Sequence, residues 1–263
     1  MIAFLSRTIV GILIVVTNLG IVLLGSRLLL FLFIVFLSTM AVLELANGLH
    51  IHRRRDYAEL MLVNFLILLS VYFTRSLTIA VIILLIPMMS MVIRATQNAE
   101  QKTTDLLASI FIYVYISIFF SFALLYEKSE QHLILFTFSV AWGTDTFAYL
   151  VGMLLGKHKL TAISPKKTVE GSIGGIIGSI ILCLIFRMLF YPSAKMLGIV
   201  LFGAAGSVVA QIGDLFASKI KRDANIKDFS HVLREHGGIL DRYDSVLFAL
   251  PFLWLFFHLP WFS

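Results

Sequence analysis

Residues 196–244 read MLGIVLFGAAGSVVAQIGDLFASKIKRDANIKDFSHVLREHGGILDRYD, and the change of character inside that run decides the fold. As far as residue 217 it is apolar and small apart from Asp214 and a few neutral polar groups. About 20 such residues carry a helix across the hydrocarbon layer of a bilayer. From Ser218 to Asp244 the chain is instead dense in Lys, Arg, Asp, Glu and His, with a Gly-Gly pair, before apolar residues resume. A polar segment of that density between two apolar runs sits at the water–lipid boundary. Its ionisable groups need a chemical reason to be there.

Working outward, similar apolar runs recur along the chain. Candidate spans fall at roughly 8–25, 28–48, 59–74, 76–93, 105–126, 132–156, 171–191, 196–217 and 243–262. The third and fourth are separated only by Arg75, so eight spans is the alternative count. With 59% hydrophobic residues, 14% charged residues and a mean hydropathy of +0.96, the chain is not a soluble globular domain. The expected fold is all-α: one polytopic transmembrane domain over 1–263, with apolar helices to residue 130 and catalytic helices and cytoplasmic loops from 131. Alternation of the β-barrel kind is absent. The first apolar stretch runs too long for a signal peptide and leads straight into another span, so it is expected to stay.

Of the 21 Lys and Arg residues, all but Arg27, Arg75, Lys128, Arg187 and Lys195 fall on one side when the loops are numbered alternately. The positive-inside rule then puts the N-terminus in the cytoplasm and both large polar loops on the cytoplasmic face. The basic run HIHRRR at 50–55 lacks interleaved aromatics and lies between spans; it reads as an anchor on anionic headgroups, and no nucleic acid is expected as a partner. Cys183 is the single cysteine and cannot form an intrachain disulfide. No internal repeat and no low-complexity segment is present.

The chemistry concentrates in the C-terminal half. From Asp214, the residues Ser218, Lys221 and Arg222 share one helical face if the helix continues that far, with Lys219 beside them. A carboxylate below the surface with cations above it is arranged to hold a metal near phosphates; a snorkelling basic cluster around an ordinary acid is the alternative. Asp241, Asp244 and Ser245 follow at i, i+3 and i+4, and Gly237 and Gly238 would let backbone approach a ligand. Asp214 and Asp241 are the best pair of metal ligands, since Mg²⁺ takes one or two carboxylates and shares the rest with phosphates. Asp241 and Asp244 could equally serve a helix N-terminus.

Earlier, Asp145, Tyr149, Gly152 and Gly156 share a face, and Asp145 near mid-span is expected to look into a polar cavity. Lys166 and Lys167 either cradle a polyphosphate or mark topology. GMLLGKH at 152–158 fails the Walker pattern, having three residues between the glycines and His158 after the lysine. Gly171, Gly174, Gly175 and Gly178 are the small residues that close helix packing in lipid needs. Glu44, the one clearly intramembrane acid of the N-terminal half, reads as a hydrogen-bonded packing residue near a helix end or as a functional group.

The run S-x-I-K-R, four residues, K-D-x-S, then L, and H-G-G-I-L-D-R-Y-D closely resembles the signature of the CDP-diacylglycerol synthases (phosphatidate cytidylyltransferases). The stretches W-G-T-D-T-F-A-Y and G-K-H-K-L…S-P-K-K-T-x-E-G resemble the same family, so the likeness covers roughly 140–246. It departs at Arg234, where the signature has Pro or Gly, and at Met153 and Val169. The resemblance implies an integral-membrane nucleotidyltransferase that joins CTP to phosphatidate, giving CDP-diacylglycerol and pyrophosphate. It implies Mg²⁺, a monovalent cation such as K⁺, and a homodimer. Asp214 and Asp241 inherit the metal-ligand role; Lys166, Lys167, Lys219, Lys221, Arg222 and Lys227 would hold phosphates, with His236 at a phosphate or the leaving group. The expected location is a bacterial inner (plasma) membrane with the site facing the cytoplasm. A cation-coupled transporter and a CTP-dependent polyprenol kinase remain as alternatives of different class.

Overall fold

The computed structural model describes residues 2–51, 54–97, 103–233 and 237–258. Its helices are α1 Ile2–Leu24, α2 Arg27–Gly48, α3 Arg54–Thr74, α4 Leu77–Gln97, α5 Thr103–Ile112, α6 Phe119–Ser121, α7 Ile134–Leu155, α8 Val169–Phe190, α9 Met196–Asp223 and α10 Leu240–Phe257. A wider π turn, Tyr113–Ile118, joins α5 to α6 in one long stretch. No strand occurs among the described residues; Lys159 and Thr168 form an isolated bridge.

Among the described residues, seven helical stretches are long and apolar enough to cross a membrane: Arg27–Gly48, Arg55–Thr74, Leu77–Gln97, Thr103–Leu124, Lys128–Leu155, Val169–Phe190 and Met196–Asp223. The chain is a polytopic helical membrane protein. The two remaining spans of the expected nine fall at the ends of the chain. The first expected span corresponds to α1, of which Val10–Leu24 is an apolar helix among the described residues. The last corresponds to α10, whose charges Asp241, Arg242 and Asp244 lie at its start and whose residues 245–257 carry none; the end of the expected span lies outside the described residues. The eight-span alternative fails locally: Arg75 sits at φ 52°, its N–H bonding Val71 O at 2.8 Å, and this left-handed stop separates α3 from α4.

The chain divides into two compact units, residues 1–130 with 226–242, and residues 131–225 with 243–263. In the first, apolar side chains such as Leu32, Phe36 and Ile86 stay exposed, as lipid-facing helices require. Polar ties cross between helices inside. Asn64 Nδ2 donates to Ser38 Oγ at 3.0 Å, linking α3 to α2, with both residues buried. Arg94 on α4 donates to both oxygens of Glu59 on α3, at 3.0 and 2.8 Å. In lipid a tie of the Asn64–Ser38 kind is worth about 0.6–2 kcal/mol.

In the second unit the glycines of α8 decide the packing. A Cβ at Gly171 would stand 2.7 Å from Ala148 O, and one at Gly175 would stand 2.9 Å from Thr144 O. One at Gly178 would enter the Phe147 ring. Only absent side chains let α7 and α8 come this close. The packing reading of this stripe holds. Ser179 Oγ adds a bond to Gly203 O at 2.9 Å, bringing α9 against α8.

Candidate active site

The loop between α7 and α8 is tied down at both ends. Leu160 N–H donates to Lys167 O (2.9 Å), Lys167 N–H to Ser164 O (3.0 Å) and Val169 N–H to His158 O (2.9 Å). Thr168 caps α8, its hydroxyl accepting the Gly171 N–H at 3.1 Å. Glu170 in the first turn of α8 accepts the N–H groups of Lys157 and His158 at 3.1 and 3.2 Å, with His158 Nδ1 2.6 Å from its other oxygen. A carboxylate suits that position, where the helix presents positive partial charge.

So fixed, the loop presents Lys166 and Lys167 to a cavity of about 350 Å³ bounded by α7, α8 and α9. Asp145, Tyr149 and Gly152 line it from α7, as their shared helical face requires. Gly156, expected on that face, instead stands just past the end of α7, where its N–H bonds Gly152 O at 3.0 Å and the chain turns away. Asp145 is exposed to the cavity, which accounts for a carboxylate deep in an apolar run.

Lys167 is the centre of this cluster. Its ammonium pairs with the Asp214 carboxylate of α9, both side chains being partly shielded. Burial pulls its pKa below the ordinary lysine value; Asp145 and Asp244 oppose that shift and Lys221 adds to it. Three acids and two amines thus act on one another within the second unit. α9 reaches Asp223 without a break, so Asp214, Ser218, Lys221 and Arg222 do lie on one continuous helix. Lys221 is buried, Ser218 half-buried, and Arg222 and Lys227 exposed. Lys219 is turned away from this face, paired with Asp223 one turn on. Gly213 lets α10 approach: a Cβ there would stand 3.0 Å from Asp244 O. Asp244 is buried, its Oδ1 accepting the Ser245 N–H at 2.7 Å.

The segment 226–242 belongs to the first unit. There Asp241 is buried, and its Oδ2 accepts the N–H groups of Phe229 and Gly238, both at 2.9 Å. Gly237 takes φ +74°, a conformation that favours glycine. Gly238 meets a neighbour the spacing could not name: a Cβ there would lie 2.6 Å from both carboxylate oxygens of Glu44. His236 and Arg234 lie outside the described residues.

Among the described residues no group of three or more His, Cys, Asp or Glu side chains could cage a metal. Mg²⁺ needs no such cage, since one or two carboxylates, waters and substrate phosphates suffice. Asp214, a hard oxygen donor beside a cavity with two lysines, fits that ion.

The sequence pattern of the cytidylyltransferase family matches residues 5–260. The chain belongs to the cytidylyltransferase family. Three similar proteins are each named phosphatidate cytidylyltransferase. That of Staphylococcus saprophyticus is 45% identical over 135 residues, 50% of this chain and 52% of the relative. That of Staphylococcus haemolyticus is 42% identical over 140 residues, 53% and 54%. That of Staphylococcus aureus is 44% identical over 142 residues, again 53% and 54%. The chain spans about half the length of the curated relatives it matches.

In this cytidylyltransferase-family chain, sequence reasoning missed a neutral polar chain on the cavity wall. Thr144 Oγ1 donates to Ser207 Oγ at 2.7 Å, Gln211 Nε2 to the same oxygen at 3.3 Å, and Ser172 Oγ to Gln211 Oε1 at 2.5 Å. Thr144, Ser172 and Gln211 all line the cavity. The available signal was Gln211 one turn before Asp214 in an apolar run.

Proposed function

We propose that this family member is a phosphatidate cytidylyltransferase, converting CTP and phosphatidate to CDP-diacylglycerol and pyrophosphate. The observation that carries the reading is the α7–α8 cavity, where Lys166 and Lys167 stand with Asp145 beside the Asp214 carboxylate. Paired cations and acids on a membrane-embedded wall suit a reaction whose reactants are both anionic phosphates.

In this reaction a phosphate oxygen of phosphatidate attacks the α-phosphorus of CTP. The new P–O bond forms as the bond to the β-phosphate oxygen breaks, and pyrophosphate leaves with that electron pair. The nucleophile is already ionised near neutral pH, so no general base is assigned. Catalysis is then positioning and charge stabilisation. Lys166 and Lys167 hold phosphates at the cavity mouth, and Lys221, Arg222, Lys227 and His236 contribute positive charge or hydrogen bonds. Asp214 and Asp241 are the proposed Mg²⁺ ligands, with Asp145 and Asp244 setting the field around them. When bound, Mg²⁺ supplies neutralisation of charge on the reacting phosphates. The acyl chains of the lipid remain in the bilayer while its headgroup enters. A homodimer, a K⁺ requirement and a cytoplasmic-facing site in a bacterial plasma membrane belong to the same proposal.

The test is purified protein with CTP labelled in the cytidine, phosphatidate and Mg²⁺. Label should move into the lipid phase. Label recovered as soluble CDP would instead mark a kinase, and unchanged CTP would end the enzymatic reading.

A further inference from the structure

Glu44 lies on α2, about 190 residues from the Gly-Gly turn, yet its carboxylate is where that turn is anchored. It is buried, 4% exposed. Oε1 accepts the Ser230 hydroxyl at 2.6 Å and the Ile239 N–H at 2.9 Å; Oε2 accepts the Leu240 N–H at 2.7 Å. Leu240 is the first residue of α10, so Glu44 satisfies backbone donors that a helix start leaves unbonded, and puts negative charge at the positive end of its dipole. One turn beyond Glu44, Gly48 closes on Ile226 and Phe229, the start of the same loop; a Cβ there would stand 3.3 Å from Ile226 Cδ1. The loop is drawn together from inside by Asp241, which accepts the Phe229 and Gly238 amides. Glu44 and Asp241 therefore hold the same turn, one through Ile239 and Leu240, the other through Gly238.

We propose that Glu44 is a positioning residue: its carboxylate fixes the 237–241 turn and thereby aims Asp241. Glutamine cannot replace it. The amide keeps one acceptor oxygen and puts an NH₂ donor against backbone N–H donors. A glycine is needed at 238 because the carboxylate stands where any side chain would begin. The inference rests on the assignment of Asp241 to Mg²⁺ for its consequence in catalysis, but not for its structural content.

Two readouts on Glu44→Gln test it. In detergent without added metal, hydrogen exchange across 226–242 should accelerate at least about tenfold, while α7 and α8 exchange as in the wild type. In the cytidylyl-transfer assay, the half-activating Mg²⁺ concentration should rise about 10-fold or more, the scale on which groups that orient metal ligands act. The KM for phosphatidate should stay within twofold. A purely structural Glu44 would lower the active fraction and Vmax without moving the Mg²⁺ requirement. Should Glu44→Gln fail to accumulate, Ser230→Ala removes one of the three bonds and should move both readouts the same way by a smaller factor. Unchanged exchange and an unchanged Mg²⁺ requirement would overturn the inference. Asp241→Asn measured in parallel separates the two ideas. Near-normal turnover there removes Asp241 from the metal site while the exchange result still judges Glu44; lost turnover with an inert Glu44→Gln sinks the Glu44 inference alone.

Discussion

Replacing Lys167 by methionine removes one charge and little volume, and the cavity geometry says what should follow. The ammonium is partly shielded, paired with Asp214, and under the influence of Asp145 and Asp244. In the proposed reaction it exchanges part of that pairing for substrate phosphate. A hydrogen bond to a charged group contributes about 1.5–3 kcal/mol. At about 1.4 kcal/mol per decade, losing it lowers kcat/KM for CTP by about 10- to 150-fold. The loss should not be total, because Lys166 lines the same cavity. The assay is initial rates of label transfer at varied CTP, with Mg²⁺ and phosphatidate saturating. A Lys167→Met protein within twofold of wild type in kcat/KM for CTP would refute the reasoning, because the best-placed cation of the cavity would then not touch the nucleotide or its transition state.

Asp214→Asn and Asp241→Asn should each abolish turnover while the proteins still insert in membranes, checked by label transfer beside membrane-fraction yield; near-normal activity in either removes that residue from the metal site. Gly175→Val should loosen the α7–α8 contact, since its Cβ meets a backbone carbonyl at 2.9 Å. Overpacking of this kind costs about 1–3 kcal/mol, and an unchanged unfolding midpoint in detergent would contradict it. Burial lowers the Lys167 pKa, so its charge is lost on raising pH before that of an ordinary lysine. Activity that needs the charge should fall on the alkaline side through that lowered pKa. In Lys167→Arg, whose guanidinium stays charged, residual activity should persist to higher pH; coincident alkaline limbs in the two proteins would rule Lys167 out as their cause.

The spans were legible because lipid imposes a length on apolar helices, and α2, α7 and α8 begin and end within a few residues of their apolar runs. The role of the α8 glycines was legible too, because small residues four apart have one common use in a bilayer. The cavity was legible from α7 alone: Asp145, Tyr149 and Gly152 recur at helical spacing, and a carboxylate in that run needed a polar outlook. What could not be read was every partnership between residues far apart in the chain. Nothing in the local pattern tells Lys167 that it will meet Asp214, 47 positions on. Periodicity names a face and says nothing of what another helix brings to it. Gly156 shows the same limit at short range, since the angle continued but the helix did not.

Glu44 carries that limit furthest and also shows how two kinds of shielded charge differ. Glu59 and Arg94 bind each other through two bonds, a closed arrangement that ties two helices together. Glu44 is closed in the same sense, yet its partners are backbone N–H groups and a hydroxyl of the Gly-Gly loop, so what it ties is the turn carrying Asp241. The Lys167–Asp214 pair is of another kind, because Lys167 lines a cavity wide enough for a phosphate chain. A charge whose partners are all protein holds structure, and a charge that borders a cavity is arranged to change partners. On that distinction an intramembrane acid is read by what its oxygens touch and not by its burial. Glu44 and Asp214 sit in equally apolar stretches, but only Asp214 is paired with a residue that the substrate could claim.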